Sequence, residues 1–126
     1  MSFSLRYVIL RHDLPPEHAR DSHWDLMLER PTTLQTWCLA DEPRVGEAKS
    51  ATELPAHRLA YLDYEGPVSG NRGHVTQWDR GRFRWQIDEP NHLVVELVDG
   101  RMTGRLELVQ TAASHWTVRF STDPSS

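Results

Sequence analysis

Long apolar runs are missing from this sequence, and none approaches the roughly 20 residues needed to cross a bilayer as a helix, which excludes a helical membrane anchor. Cysteine is nearly missing too. The single Cys38 excludes an internal disulfide, and its place between Trp37 and Leu39 reads as a buried thiol rather than a nucleophile. Lysine is equally scarce, with Lys49 the one lysine among 14 basic residues. Nor is there an excess of positive charge: the formal net charge is −4, which excludes coating of nucleic acid by bulk electrostatics and leaves only local basic patches. The segment from Met1 to Arg6 lacks the basic region, apolar stretch and small-residue cleavage site of a signal peptide, so the expected location is the cytoplasm.

What is present is β-forming sequence. With 126 residues, 38% hydrophobic and 25% charged, the chain predicts a single domain over residues 1–120 and a polar tail over 121–126. Ser4 to His12 is rich in Tyr, Val, Ile and Leu and reads as a strand ending on a histidine. Paired prolines at Pro15 and Pro16 make the following segment a loop. His23 to Glu29 alternates with period two. Trp24, Leu26 and Leu28 face one way, and His23, Asp25, Met27 and Glu29 face the other. Leu34 to Leu39 forms a short strand, Glu47 to Leu54 a short helix, and β character returns from Arg58 to Tyr64 before a glycine-rich loop that runs to Gly73. Val75 to Trp78 and Arg82 to Ile87 flank Asp79-Arg80-Gly81, which reads as a hairpin turn. His92 to Val98 and Met102 to Gln110 flank Asp99-Gly100, the strongest hairpin signal in the chain. His115 to Phe120 is the last strand. The expected fold is mainly β, a compact antiparallel barrel of about seven or eight short strands with at most one or two short helices.

The chemistry concentrates at His23-Trp24-Asp25. His-x-Asp on a strand puts an imidazole and a carboxylate on one face, close enough to share an ion. An isolated pair of this kind is more often a hydrogen-bonded surface pair. Here the opposite face is strongly apolar, and Glu29 continues the polar row where a carboxylate could orient a ligand. His12, at the end of the preceding strand, supplies a third donor if the two strands pair, and His18 on the connecting loop competes for that place. Two imidazoles and a carboxylate suit an intermediate divalent metal with positions left open for substrate.

Taken in order, these segments resemble the 3′-phosphoesterase domain of bacterial DNA ligase D. The resemblance covers nearly the whole chain. It runs through Val8 to Asp13, His23 to Glu29, Leu34 to Leu39, His57 to Gly66, Val75 to Gly81 and Met102 to Val109. It implies a manganese site from His12, His23 and Asp25, with other divalent metals as substitutes. It also implies that His57 and Tyr61 act at the scissile phosphate, whereas read without it they are a surface histidine and a core aromatic. Lys49, eight residues before His57, matches a phosphate-contacting arginine of the family. Met27 and Asp41 stand where the family carries basic residues, so phosphate contact would fall to Arg11, Arg72, Arg80 or Arg82.

The implied function is metal-dependent processing of nucleic-acid 3′ ends in DNA repair, removing a terminal ribonucleotide or phosphate so that a DNA ligase or end-joining polymerase can proceed. A second reading, motivated by Met27 and Asp41, is a catalytically weakened module that binds metal and DNA ends. A third takes His23 and Asp25 with His92 or His115 as the facial triad of a non-haem iron oxygenase. No membrane partner is expected.

Overall fold

The computed structural model describes residues 5–15 and 22–122. Its strands are β1 (Leu5–Asp13), β2 (His23–Glu29), β3 (Leu34–Leu39), β4 (Ala48–His57), β5 (Gly66–Pro67), β6 (His74–Glu89), β7 (His92–Val98), β8 (Gly104–Ala112) and β9 (His115–Ser121). A single turn of 3-10 helix, Leu59–Leu62, follows β4. The sheet runs β1-β2-β3-β4-β9-β8-β7-β6, and β1 then pairs with β6, closing an eight-stranded antiparallel barrel as the run of short strands and turn signals predicted. The two-residue β5 hangs on the end of β6, outside the ring. No helix among the described residues is long and apolar enough to cross a membrane.

Alternation along the strands fills the barrel with one set of side chains. Tyr7, Ile9, Leu26, Leu28, Trp37 and Phe83 belong to this core, and Trp37 meets Trp116 edge to face at 5.6 Å. A second, smaller cluster lies outside the barrel, where Val8, Leu10, Met27, Leu34 and Val75 are covered by Leu62 of the 3-10 turn. β1 and β2 are therefore apolar on both faces over part of their length, which is why β1 alternates so poorly. A four-residue 3-10 turn has no stability of its own. Burial of Leu62, worth roughly 1.5–3 kcal/mol for a fully buried side chain, holds it against the wall.

Four local expectations are corrected. Glu47 to Leu54 is not helix but lies largely in β4, because the barrel closes only if this segment pairs with both β3 and β9. Arg58 to Tyr64 is not β but the 3-10 turn and its flanks. The Asp99-Gly100 hairpin exists, but β8 begins only at Gly104, and Asp99 takes φ of 72°. Asp79-Arg80-Gly81 is not a turn at all, since β6 continues through it for 16 residues.

β6 can run that long because it is bulged. Its register against β1 slips where Ile9 faces Asp79 but Leu10 faces Gln77, and again against β7 between Trp85 and Ile87. Each bulge bends the strand and lets it follow the barrel wall. The first bulge delivers Asp79 to the interior, where its carboxylate accepts hydrogen bonds from the Tyr7 hydroxyl at 2.9 Å and the backbone N–H groups of Arg101 at 2.7 Å and Met102 at 3.0 Å. The N–H of Arg80 also donates to it. Gly81 serves a close approach rather than a turn, for a Cβ there would lie 2.4 Å from the Val98 carbonyl oxygen. Burial and the Asp79 carboxylate push the Tyr7 phenol far above its usual range, so it remains a donor at any working pH.

Asp79 thus ties β1, β6 and the β7–β8 loop together. Asp79→Asn, which turns an amide donor on buried N–H groups, is expected to destabilise the fold by about 3 kcal/mol, and Tyr7→Phe by about 1–2 kcal/mol. Urea unfolding checks both, and a loss below about 1 kcal/mol for Asp79→Asn would remove this tie as a main support.

Candidate metal centre and its cavity

The β1–β2 register sets the centre. His12 pairs directly with His23, and Leu10 with Asp25, so the two imidazoles are cross-strand neighbours with the carboxylate diagonal to His12. The rings lie 4.7 Å apart between centroids. One donor atom from each of His12, His23 and Asp25 falls within 4.8 Å of the others. His12 Nδ1 is 3.7 Å from Asp25 Oδ2, and His23 Nε2 is 3.4 Å from Asp25 Oδ1.

Two features preset these donors. His12 Nε2 lies 2.6 Å from the Arg72 carbonyl oxygen, which can only accept, so Nε2 carries the hydrogen and the lone pair of the neutral ring sits on Nδ1, toward Asp25. The Arg72 carbonyl reaches His12 because the next residue is Gly73, at φ of 97°, where a Cβ would fall 2.0 Å from the Asp13 carbonyl oxygen. Asp25 is the second feature. Its side chain is 6% exposed, and Oδ1 has no hydrogen-bond partner, nor does the buried His23 Nδ1. Burial would raise the Asp25 carboxyl, but the adjacent His12 and His23 rings more than offset it and hold the group below the ordinary carboxylate range. A buried anion with an open oxygen, between two imidazoles, fits a divalent cation of the first transition row.

The centre opens into a cavity of about 110 Å³ whose wall includes His12, Asp25, Met27, His57, Tyr61 and Arg72. His57 ends β4, and the 3-10 turn brings Tyr61 back over it, the rings meeting edge to face at 5.6 Å. His57 Nδ1 donates to the Pro55 carbonyl at 2.9 Å, so Nε2 is the atom left to meet a substrate. Met27 is buried and makes that part of the wall apolar. Arg72 also lines this cavity, and its guanidinium is held by Nε on the Ser69 carbonyl at 2.7 Å and Nη2 on the Ser69 hydroxyl at 3.0 Å.

Other residues expected here are placed elsewhere. Lys49 has the same odd parity as His57, which on an unbroken strand would give both one face. Pairing slips, however, between Leu34↔His57 and Thr36↔Leu54, so β4 is bulged between them. Lys49 consequently faces inward beside Val118 and pairs with Glu47 at 3.1 Å. Arg11 alternates away from His12 and bonds Asp13 at 3.0 Å. Glu29 sits at the far end of β2 from His23 and accepts the Arg6 N–H at 2.8 Å, so it does not orient a ligand. Arg80 bonds Gln77 and Arg82 bonds Asp99, while Asp41 is exposed beyond β3. His18 lies outside the described residues. His92 bonds Glu107 at 2.7 Å, and neither it nor His115 joins the His23 and Asp25 donors. Arg58, which lines the neighbouring cavity, carried no signal in the sequence beyond following His57.

A family model described as the DNA Ligase D 3′-phosphoesterase domain matches residues 16–119. The multifunctional non-homologous end joining protein LigD of Pseudomonas aeruginosa is 31% identical over 118 residues, covering 85% of this chain and 13% of that protein. The protein of the same name from Mycobacterium bovis is 32% identical over 121 residues, covering 87% of this chain and 15% of its own length. A multifunctional non-homologous end joining DNA repair protein LigD from Mycobacterium tuberculosis matches with the same figures, 32% and 87%. The chain therefore spans only a small part of the relatives it matches.

A metal held by these donors binds the folded state alone, so excess Mn²⁺ is expected to stabilise the protein by about 2.7 kcal/mol at a hundredfold excess over Kd. His23→Ala and Asp25→Asn should abolish the shift in thermal melts, and a shift retained in both would place the metal elsewhere. The acid dependence is also set. Because the folded Asp25 carboxyl lies below its unfolded value, its contribution to metal-free stability is present above about pH 4 and is lost as pH falls through the lower folded value. The stability difference between wild type and Asp25→Asn, followed by urea unfolding in chelator, should shrink only below about pH 4.

Proposed function

From the premise that this chain belongs to the DNA ligase D 3′-phosphoesterase domain family, we propose that it is a divalent-metal-dependent phosphoesterase, with manganese its working ion, that processes 3′ ends of nucleic acid in DNA repair. The observation that carries this reading is the cluster of His12, His23 and Asp25 donors, two of which, His12 and Asp25, line a cavity that His57 and Tyr61 also line. Its substrates are 3′ ends bearing a terminal ribonucleotide or a phosphate. Its products suit a DNA ligase or an end-joining polymerase, in the cytoplasm where such enzymes meet the chromosome.

An ion in this centre would polarise a phosphoryl oxygen and neutralise charge that builds up on it. The chain's own groups supply the rest. Tyr61 donates its hydroxyl to a non-bridging phosphate oxygen, and Arg72 holds the phosphate from the cavity rim. Phosphorus gains a bond to the oxygen of water and loses its bond to the ester oxygen; protonated His57 delivers a proton from Nε2 to that departing oxygen, and the proton lost by the attacking water passes to solvent, from which His57 is reprotonated. His57 is aimed for this by its Nδ1–H bond to Pro55. Met27 offers phosphate nothing, which concentrates the task of charge recognition on Arg72.

The apolar Met27 wall also supports a second reading, a module that binds metal and DNA ends with weakened turnover. Primer-templates with a 3′ ribonucleotide or 3′ phosphate separate the two when incubated with Mn²⁺. The enzyme reading expects shortening or dephosphorylation that disappears in His23→Ala and falls about 10²–10⁴-fold in kcat in His57→Ala. Arg72→Ala should act mainly on KM, raising it roughly tenfold or more, while leaving the backbone carbonyl on His12 in place. End binding without turnover under any divalent metal would establish the module instead.

A further inference from the structure

A second cavity, of about 220 Å³, adjoins the metal cavity and shares Tyr61 and Val68 with it. Its wall is mostly apolar, with Tyr64 and Pro67 added to the shared pair, and Arg58 and Ser69 supply the polar groups. Tyr61 and Tyr64 meet edge to face at 5.7 Å, so His57, Tyr61 and Tyr64 form an unbroken row of rings leading out of the metal cavity. Tyr64 is 36% exposed, a large value for an aromatic side chain, and its hydroxyl is tied to the Pro67 carbonyl. The ring is thus fixed in place while much of its surface remains available.

We propose that this second cavity binds the nucleobase of the terminal 3′ nucleoside whose phosphate sits at the metal centre, with Tyr64 as the stacking surface and Arg58 and Ser69 contacting the base edge or sugar hydroxyls. The proposal rests on the phosphoesterase reading of the neighbouring cavity and adds to it the part of the substrate that the enzyme recognises. Size and polarity divide the two spaces. The smaller, lined by His12, His57, Asp25 and Arg72, suits a phosphoryl group, and the larger, walled by tyrosine and aliphatic carbon, suits a flat ring with a polar edge. Ester connectivity demands that both be filled by one substrate, and sharing Tyr61 makes that geometrically direct. A second phosphate fits the larger space poorly, because Arg58 would be its one cationic contact there. Stacking tolerates any base, so selection is for the presence of a base rather than its identity.

Three primer-templates test this, alike except that the 3′ terminus carries a nucleoside, an abasic sugar or a bare phosphate. Equilibrium binding in the presence of Mn²⁺ is read for wild type, Tyr64→Ala and Tyr64→Phe, with thermal melts to confirm folding. Wild type is expected to bind the base-bearing end roughly tenfold more tightly than the abasic end, and Tyr64→Ala to lose most of that ratio. Tyr64→Phe, which keeps the ring, should retain it. Equal binding of base-bearing and abasic ends by wild type, or an unchanged ratio in Tyr64→Ala, overturns the subsite. Turnover is scored separately. A wild type that binds base-bearing ends preferentially but converts none of the three would overturn the phosphoesterase reading and leave the subsite standing.

Discussion

Because β1 hydrogen-bonds to β2 along one edge and to β6 along the other, it lies within the barrel wall, and with the barrel interior on one face and the cluster under the 3-10 turn on the other it is buried on both faces from Tyr7 to Leu10. Closing the ring removes exposed strand edges, and it forces β6 to bulge opposite Ile9 and Leu10. That bulge brings Asp79 inward to bind Tyr7 of β1 and the backbone of the β7–β8 loop. The continuation of β6 beyond Leu10 carries Val75, which completes the outer cluster beneath the 3-10 turn. Position of the cavity wall and closure of the barrel are therefore one problem. The turn that presents Tyr61 packs on side chains that exist only because β1 and β2 are buried twice.

This double burial also decides the character of the metal centre. An Asp-His pair on an open sheet face would be solvated, and each group would find water. Here the covering turn and the loop ending at Gly73 enclose Asp25, leave Oδ1 without a partner and fix the His12 ring through the Arg72 carbonyl. A buried carboxylate is costly unless something positive answers it. The two imidazoles more than meet that demand, as the depressed Asp25 carboxyl records, and a divalent ion would take the same anionic oxygens. The centre is thus a preformed anionic pocket, ionised already without the ion and offering a divalent cation a buried carboxylate between two imidazoles.

Period two made β2, its histidine and its aspartate readable from the sequence, and the order of the surrounding segments pointed to His12, His57 and Tyr61, which the structure gathers at one cavity. Parity failed where the backbone is irregular. Counting back eight residues from His57 puts Lys49 on the same face, and one bulge near Pro55 reverses it. Nothing local distinguishes Asp79-Arg80-Gly81 from a turn, because the need for glycine there comes from the Val98 carbonyl, distant in sequence. Residues 47–54 read as helix for a similar reason: the pairings on both sides that hold them extended are formed with β3 and β9. Met27 looked like a member of a polar row and is in fact the floor of the outer cluster.

That floor has a consequence for how a substrate must be held. With methionine in the wall, a phosphate in this cavity would meet fewer fixed charges than a basic residue there would provide, and positioning by the phosphate alone would be weakened. Binding energy gathered away from the reacting atoms can substitute, provided the remote group is covalently attached and its pocket is rigid relative to the site. Tyr61 fixes the two spaces relative to one another, since it lines the metal-site cavity on one side and the larger cavity on the other. A nucleoside seated against Tyr64 would carry its own ester oxygen toward His57 without help from a second cation. On the proposed function, the uncharged Met27 wall beside the metal centre and the aromatic cavity next to it would be two sides of the same division of labour.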